Sequence, residues 1–559
     1  MKNNKLNVCL ILNSLIIPRW QAFLVGEIIS LPFAKVSLII LERKFEKKNS
    51  KEFISHFLYI LYAWLDSRLF RRTTNTEDPL QPVDLTDRLL DSEQIPVDFT
   101  QEKFSTEDTR KIGSFNIDVV LQLTPGRIHK EIAELSRYGL WFFSFGNHKG
   151  HTRSLSGFWE IYGSNPVTCS KLLAFTQNKC ANCILSISWT ATKNYSLYLN
   201  RTRIYWKSAH FVVNHLRTIH QYGWEYLLKK RHDMSEENDL SSNNDCPNNW
   251  QVIVFMGKIS VNLIKKILKT VFGHETWVIG LRQKHDIKDL SCFDNVDKSM
   301  FKKIKSNRDG FLADPFIIEH KKKNYIFCEE FLKKERKGII SVIEILNDLN
   351  ITHPRTVLDR PYHLSYPFLF KWGEELFMIP ETSRNRTIEL YKCVQFPDQW
   401  ILDKVLFTST NAADTTVLYE KGIFWLFTCQ NNGELDAYDA FDELYLYWSY
   451  DIRGPWYFHP QNPIVSDIRR ARCAGAIIRL QNSLIRPSQD CSEKYGKRIN
   501  FNHIVQLTQT EYREEPLGVF EDIWYFGANG THTWNSNECF DVIDASIWKF
   551  KRFSFFGKS

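Results

Sequence analysis

The stretch from Asp309 to Glu330, DGFLADPFIIEHKKKNYIFCEE, returns without a gap as LSYPFLFKWGEELFMIPET, with Pro315 on Pro367 and Glu329 on Glu381. No other feature constrains the fold as strongly, because a segment that recurs at fixed length is a structural unit that packs on copies of itself. A third copy, ADTTVLYEKGIFWLFTCQ, puts Asp414 where Asp314 stands and Cys429 where Glu329 stands; a fourth, CAGAIIRLQNSLIRPSQD, ends on Gln489 and Asp490. The first positions, 314, 366, 414 and 474, are spaced by roughly one four-stranded blade. Within each copy a polar turn (KKKN, WGEE, EKG) joins two runs of aromatic and β-branched residues, the pattern of a β-hairpin. With a weaker fifth hairpin around FEDIWYFGANGTHTWN, the spacing predicts an all-β five-bladed β-propeller over about residues 300–559.

The first 230 residues have a different rhythm. LNVCLILNSL, AKVSLIILE, FNIDVVLQL and LWFFSFG read as strands, and WQAFLVGEIIS and RIHKEIAELSRYG as helices between them, an alternation that predicts an α/β Rossmann-like domain with a parallel sheet. An insert of about 71–114, carrying TTNTEDPLQP and DSEQIPVD, reads as a polar loop excursion. RHDMSEENDLSSNNDCPNNW, over 231–250, has linker composition, and a bridging segment over 251–299 holds the helical pattern SVNLIKKILKTVF.

Composition excludes several functions. Against 64 acidic residues stand 72 basic ones, a net charge of +8 over 559 residues, too little to argue nucleic acid; the lysine runs at 43–48, 302–305 and 321–323 read as solvated turns that leave room for peripheral contact with an anionic membrane. Twelve cysteines are scattered, and Cys180-Ala-Asn-Cys183 has no second pair at zinc spacing, so no metal site is expected. That usage fits a reducing, cytoplasmic setting. The N-terminal apolar run is broken by Asn13, and Phe57 to Phe70 is short and carries Asp66 and Arg68, so no transmembrane span is expected. An aromatic content of 14% suits packed blades and sugar-stacking surfaces alike.

Through DVVLQL, RYGLWFFSFGN, GFWEI and PVTCSKLLAFTQNKCANCIL the N-terminal domain resembles the methionyl-tRNA and sugar formyltransferases. Anchored on Gly139, the Asn, His and Asp of that family fall on Phe142, Ser144 and Cys180, none of which can polarise a formyl carbonyl or manage the proton of an attacking amine. Folate is therefore disfavoured as a cofactor; Asn147, His148, His151 and Glu160 are the nearby groups with chemistry of their own.

ADPFIIEHKKKNYIFCEE, LSYPFLFKWGEELFMIPETS, ADTTVLYEKGIFWLFT, GPWYFHPQNPI, ARCAGAI and LIRPSQDCSEKYG resemble the propeller at the N-terminus of plant glucosamine inositolphosphorylceramide transferases, which also occurs in bacterial fusions with a formyltransferase-like domain. More distantly it is similar to the five-bladed glycoside hydrolases of the family 43, 32 and 68 group. That resemblance implies a base or nucleophile at Asp314, an acid at Glu381 and a tuning or sugar-binding group at Asp414, although Tyr366 stands where a further aspartate is expected. Glu329, Glu330, Arg486, Gln489, Asp490 and His532 are the expected substrate-binding residues.

Three functions follow. The first is a glycosyl-transferring or glycoside-hydrolase-like enzyme of surface glycan or glycolipid synthesis, with a glycan or nucleotide sugar as substrate. The second is a glycan-recognition propeller joined to a degenerate formyltransferase-like domain, and the third a sugar N-formyl or N-acyl transferase.

Overall fold

The computed structural model describes residues 5–43, 50–73, 76–98, 106–124, 130–146, 156–176, 183–229, 232–233, 247–284, 301–430, 442–520 and 528–551. Two compact units, Met1–Leu263 and Ile264–Ser559, divide the chain.

The first unit is built on one sheet. Strands β1 (Leu6–Leu12), β2 (Ala34–Arg43), β3 (Glu93–Asp98), β4 (Val119–Gln122), β5 (Leu140–Phe145), β6 (Val167–Phe175), β7 (Cys183–Ala191) and β8 (His232–Asp233) lie in the order β8-β7-β6-β5-β4-β1-β2-β3. Strands β1 to β5 pair in parallel, and the central LNVCLIL run of β1 is buried almost throughout, as a strand covered on both faces must be. Beyond β5 the pairing turns antiparallel. The sheet is therefore mixed rather than wholly parallel; between β6 and β7 only seven residues intervene, fewer than the crossover of about a dozen that parallel pairing needs.

The insert also departs from its reading as a loop. It supplies edge strand β3, in which Ile95 and Val97 are buried while the rest of the strand is polar or proline; Pro96 is tolerable because an edge strand leaves one row of N–H groups unpaired. Phe142 packs with Leu173 and Ile184 and Ser144 is buried in the same strand, so two of the positions aligned with the formyltransferase triad are occupied by interior packing. Cys180, Asn147, His148 and His151 lie outside the described residues, and Glu160 is buried in the short helix Phe158–Tyr162.

Among the described residues the second unit contains five sheets, four of them formed by consecutive strands: β11–β14 (Gly310–His320, Lys323–Leu332, Lys337–Ile345, Arg355–Leu358), β15–β18 (Ser365–Trp372, Glu375–Glu381, Ile388–Gln395, Gln399–Phe407), β19–β22 (Ala412–Glu420, Ile423–Gln430, Leu444–Ser449, Tyr457–Phe458) and β23–β26 (Ile478–Leu480, Ser483–Asp490, Arg498–Leu507, Tyr512–Phe520). These are blades 1 to 4 of a five-bladed propeller. Blade 5 joins the two ends of the unit. Strand β9 (Gly273–Gln283) pairs with β29 (Phe540–Phe550) along its whole length, flanked by β10 (Lys302–Ile304), β27 (Ala528–Gly530) and β28 (Trp534–Ser536). The propeller thus begins upstream of residue 300. Because its last blade is assembled from both ends, no local hairpin repeat could reveal it. Residues 521–527 of the expected fifth hairpin lie outside the described residues.

Packing between blades is aromatic. Phe316, Tyr366, Phe368, Phe377 and Phe427 share one buried cluster across blades 1 to 3, with Tyr366 edge-on to Phe316 at 4.8 Å.

Candidate functional site

The repeat corresponds to a recurring backbone device. In blades 1, 2 and 3 the ladder between the first two strands slips at the same place, between Ala313 and Phe316, Ser365 and Phe368, and Ala413 and Thr416. The residue after the last regular pair is Asp314, Tyr366 or Asp414, each held at positive φ (49°, 42° and 51°). Non-glycine residues pay for that conformation with strain of about 1–3 kcal/mol, which persists only where surrounding contacts over-determine it. In blade 4 the corresponding bend falls at Gly475, φ 135°, where a Cβ would come within 2.0 Å of the Trp534 carbonyl oxygen.

Those contacts run from blade to blade. Asp314 Oδ2 accepts the Tyr366 N–H at 3.2 Å, and its Oδ1 accepts the Thr533 hydroxyl at 2.7 Å. The Tyr366 hydroxyl donates to the Gly475 carbonyl at 3.1 Å, while the Gly475 N–H donates to the Tyr366 oxygen at 2.9 Å. Tyr366 therefore replaces an aspartate with a hydroxyl that ties blade 2 to blade 4.

On the second strand of each blade, Glu329 faces Ala313, Glu381 faces Ser365 and Cys429 faces Ala413, in agreement with the sequence alignment. Asp414 is gripped by Arg472, whose Nε donates to Oδ2 and whose Nη2 lies 3.2 Å from Oδ1; Gln489 donates to Oδ2 at 2.8 Å. Glu381 Oε2 lies 3.5 Å from Arg472 Nη2 and 3.4 Å from the Asp414 N–H, and the Ser383 hydroxyl donates to its Oε1 at 2.7 Å. Burial raises the Asp414 carboxyl, Arg472 opposes the rise and Glu381 adds to it, leaving it at about 7. Burial, then the carboxylates of Asp314 and Glu381, pushes Glu329 well above the usual carboxylate range. His363 Nδ1 accepts the Gly338 N–H at 2.8 Å, which puts the ring proton on Nε2, 3.5 Å from Glu329 Oε1.

His532 closes the ring from blade 5. Its Nδ1 lies 2.6 Å from Asp544 Oδ2 and its Nε2 3.6 Å from Asp314 Oδ1, with the imidazole stacked on Trp277 at 3.9 Å. Burial alone would lower its pKa, but Asp544 and Asp314 more than reverse this and hold it at about 9. Asp314 in turn is raised by burial, which His532 opposes and Asp414 and Asp544 reinforce. Asp314, His532 and Asp544 offer ligand atoms within 4.8 Å of one another, so they could hold a cation once the imidazolium proton is displaced.

Three expected substrate-binding residues lie elsewhere. Glu330 follows Glu329 in one strand and so points to the other face, where the Ser306 and Ser341 hydroxyls donate to it at 2.9 and 2.8 Å. Asp490 follows Gln489 in the same way and receives Arg498 at 2.9 Å. Arg486, an odd number of residues from Gln489, is buried in a two-pronged pair with Glu514 at 2.8 and 2.7 Å. Arg472 is the guanidinium that meets the Asp414 and Glu381 carboxylates. Arg472, Asp544, Thr533, Trp277 and Tyr495 are not among the site residues expected from the sequence. Tyr495 is partly open, with Arg472 over its ring at 4.8 Å and His532 edge-on at 5.1 Å. Its place in a loop outside the repeat left no periodic signal to find it by.

Residues 290–546 match the family described as glucosamine inositolphosphorylceramide transferase 1, N-terminal. Glucosamine inositolphosphorylceramide transferase 1 of Oryza sativa subsp. japonica is 34% identical over 232 residues, 40% of this chain and 30% of the relative. The Arabidopsis thaliana protein of that name is 29% identical over 334 residues, 57% of this chain and 40% of its own. The chain thus spans less than half the length of these relatives. Among solved structures, a thermostable family-43 glycoside hydrolase matches 38% of this chain and 76% of its own, with 11% identity and a TM-score of 0.29. The catalytic domain of a Coprinopsis cinerea GH62 alpha-L-arabinofuranosidase matches 43% and 92%, with 10% identity and a TM-score of 0.32.

Proposed function

We infer that the propeller channel binds a sugar-containing substrate and carries glycosyl chemistry in the synthesis of a glycan or glycolipid. One observation carries this reading. Asp314, Glu329, Glu381 and Asp414, drawn from the inner ends of three blades, converge into mutual electrostatic range, and burial raises the protonation of three of them. A buried cluster of carboxyl groups, some of them held protonated by burial, is a setting for acid–base work at a glycosidic oxygen. The family match over 290–546, with relatives named glucosamine inositolphosphorylceramide transferase 1, supports the substrate class.

In this reading Asp314 takes a proton from the acceptor hydroxyl or attacks the anomeric carbon, and Glu381 protonates the departing oxygen. Glu329 stands beside them as a second proton-holding carboxyl. Asp414, fixed by Arg472 and Gln489, tunes Glu381 rather than meeting the reacting bond, and Tyr495 offers a ring for stacking a sugar. A nucleotide sugar is the donor class to try first. A reducing, cytoplasmic compartment is the setting that the scattered cysteines of the sequence fit.

Recognition without turnover is the second reading, favoured by the internal hydrogen bonds that already occupy both oxygens of Asp314 and of Asp414. N-formyl or N-acyl transfer is the weakest, since Phe142 and Ser144 are interior residues. Calorimetric titration with amino sugars, inositol glycans and nucleotide sugars separates these. The proposal expects saturable binding that Tyr495→Ala weakens; binding only to a folate or acyl donor would refute it.

A further inference from the structure

Helix α1 (Asn249–Phe272) has two apolar faces rather than one. Val252, Phe255 and Ile259 are buried, and Phe255 and Ile259 pack with Phe158 and Leu197. On the opposite side Trp250, Ile253, Val261, Ile264, Leu268 and Val271 follow one another at intervals of three, eight, three, four and three, with Gly257 filling the long gap. Those steps keep them on one stripe of a helix with 3.6 residues per turn. All six are at least 46% exposed, and Trp250 reaches 70%. From Ile264 to Phe272 every residue is exposed. A contiguous apolar surface of this kind is uncommon on a chain that meets only water, and it marks an interaction site.

The charge on the helix selects the partner. Asn249–Phe272 contains four lysines and no acidic residue. Lys258 is drawn down to the Tyr162 carbonyl oxygen at 2.5 Å, whereas Lys265 and Lys269 are exposed and flank the stripe on one side, where long side chains reach outward while their stems lie along apolar surface. An apolar stripe of about 32 Å edged by cations, with an indole at one end, fits the boundary between lipid headgroups and acyl chains. No helix among the described residues is long and apolar enough to cross a membrane, so the fit is to lying on a bilayer. Earlier in the chain, helix Ser50–Phe70 repeats the arrangement. It exposes Ile60, Leu61 and Trp64, with Arg68 over the Trp64 ring at 4.5 Å.

We propose that the outward stripe of Asn249–Phe272 is a docking surface for an anionic lipid bilayer, holding the protein in the interface plane. The proposal rests on the exposed stripe and its lysines, independently of the chemistry in the propeller.

Vesicle co-sedimentation of the full chain tests it, using phosphatidylcholine alone and phosphatidylcholine mixed with phosphatidylserine. Wild type should partition onto the mixed vesicles and leave them as salt rises. The pair Ile264→Glu with Leu268→Glu should weaken partitioning by about tenfold or more, and so should Lys265→Glu with Lys269→Glu. All four side chains are exposed, so thermal unfolding of both variants should match wild type and separate lost docking from lost folding. Absence of wild-type partitioning, or partitioning unchanged in both variants, overturns the proposal. So does a wild-type dimer that Ile264→Glu with Leu268→Glu converts to monomer while neither form binds vesicles, since a second copy would then be the occupant.

Discussion

Arg472 of the segment leading into blade 4 holds both carboxylate oxygens of Asp414 of blade 3 through Nε and Nη2, and the same Nη2 lies 3.5 Å from Glu381 of blade 2. One buried cation therefore serves two carboxylates from successive blades, and the order of charge in the channel depends on it. Removing one partner of a buried pair leaves the other uncompensated, at a cost of about 3–5 kcal/mol. Arg472→Met is expected to lower stability by that order in denaturant unfolding, and Asp414→Asn added to it should recover part of the loss. A double variant whose loss equals the sum of the single losses would show that the pair is not coupled.

His532 and Asp414 both favour their protonated forms, so they act on stability with one sign. His532 is raised from 6.5 to about 9. The stabilisation it provides is complete below 6.5 and is lost as pH climbs through 9. Asp414, raised from 3.8 to about 7, loses its contribution over the lower window of 3.8 to 7. Melting temperature should therefore fall on alkalinisation, with His532→Asn flattening the upper limb and Asp414→Asn the lower. A melting curve that rises between pH 7 and 9 would contradict the assignment of an imidazolium at His532.

Gly475→Ala tests the inter-blade device. With φ at 135° and the Trp534 carbonyl in the path of a Cβ, the variant should lose about 1–3 kcal/mol from backbone strain alone, measured by chemical unfolding, together with the bonds Gly475 exchanges with Tyr366. An unchanged midpoint would mean that blades 4 and 5 do not meet as described.

Arg486 and Gln489 separate structure from site within one strand. Arg486→Met should reduce the melting temperature by orphaning Glu514 in the interior, while ligand affinity of the folded fraction stays as in wild type. Gln489→Ala should change ligand affinity and the pH response of Asp414 more than it changes stability. The reverse pattern would return Arg486 to the channel.

Much of the propeller was legible because its repeat is local. A hairpin with a bulge at a fixed place writes itself into the sequence as a proline or small residue, an apolar run, a turn and an acid, and the alignment of Glu329, Glu381 and Cys429 was correct on that basis alone. Blade 5 was illegible for the opposite reason: Gly273–Gln283 meets Phe540–Phe550 across most of the unit, and pairing at such separation leaves no periodic trace. The same division runs through the site. Asp314 and Asp414 lie on the repeat, whereas Asp544, Thr533 and Tyr495 come from segments with no counterpart in other blades. Adjacent polar residues misled the reading where strand alternation decides, so Glu330 and Asp490 face away from the groups that Glu329 and Gln489 join. In the N-terminal unit a polar insert concealed an edge strand, because only Ile95 and Val97 face the core.

The central claim is glycosyl chemistry in the channel, and mass spectrometry tests it most directly. Purified protein is incubated with oligosaccharides and nucleotide sugars, wild type beside Asp314→Asn and Glu381→Gln. The account predicts a product made by wild type and lost in both variants while all three remain folded. A product that persists in both variants, or ligand binding with no turnover in any of the three, would contradict it.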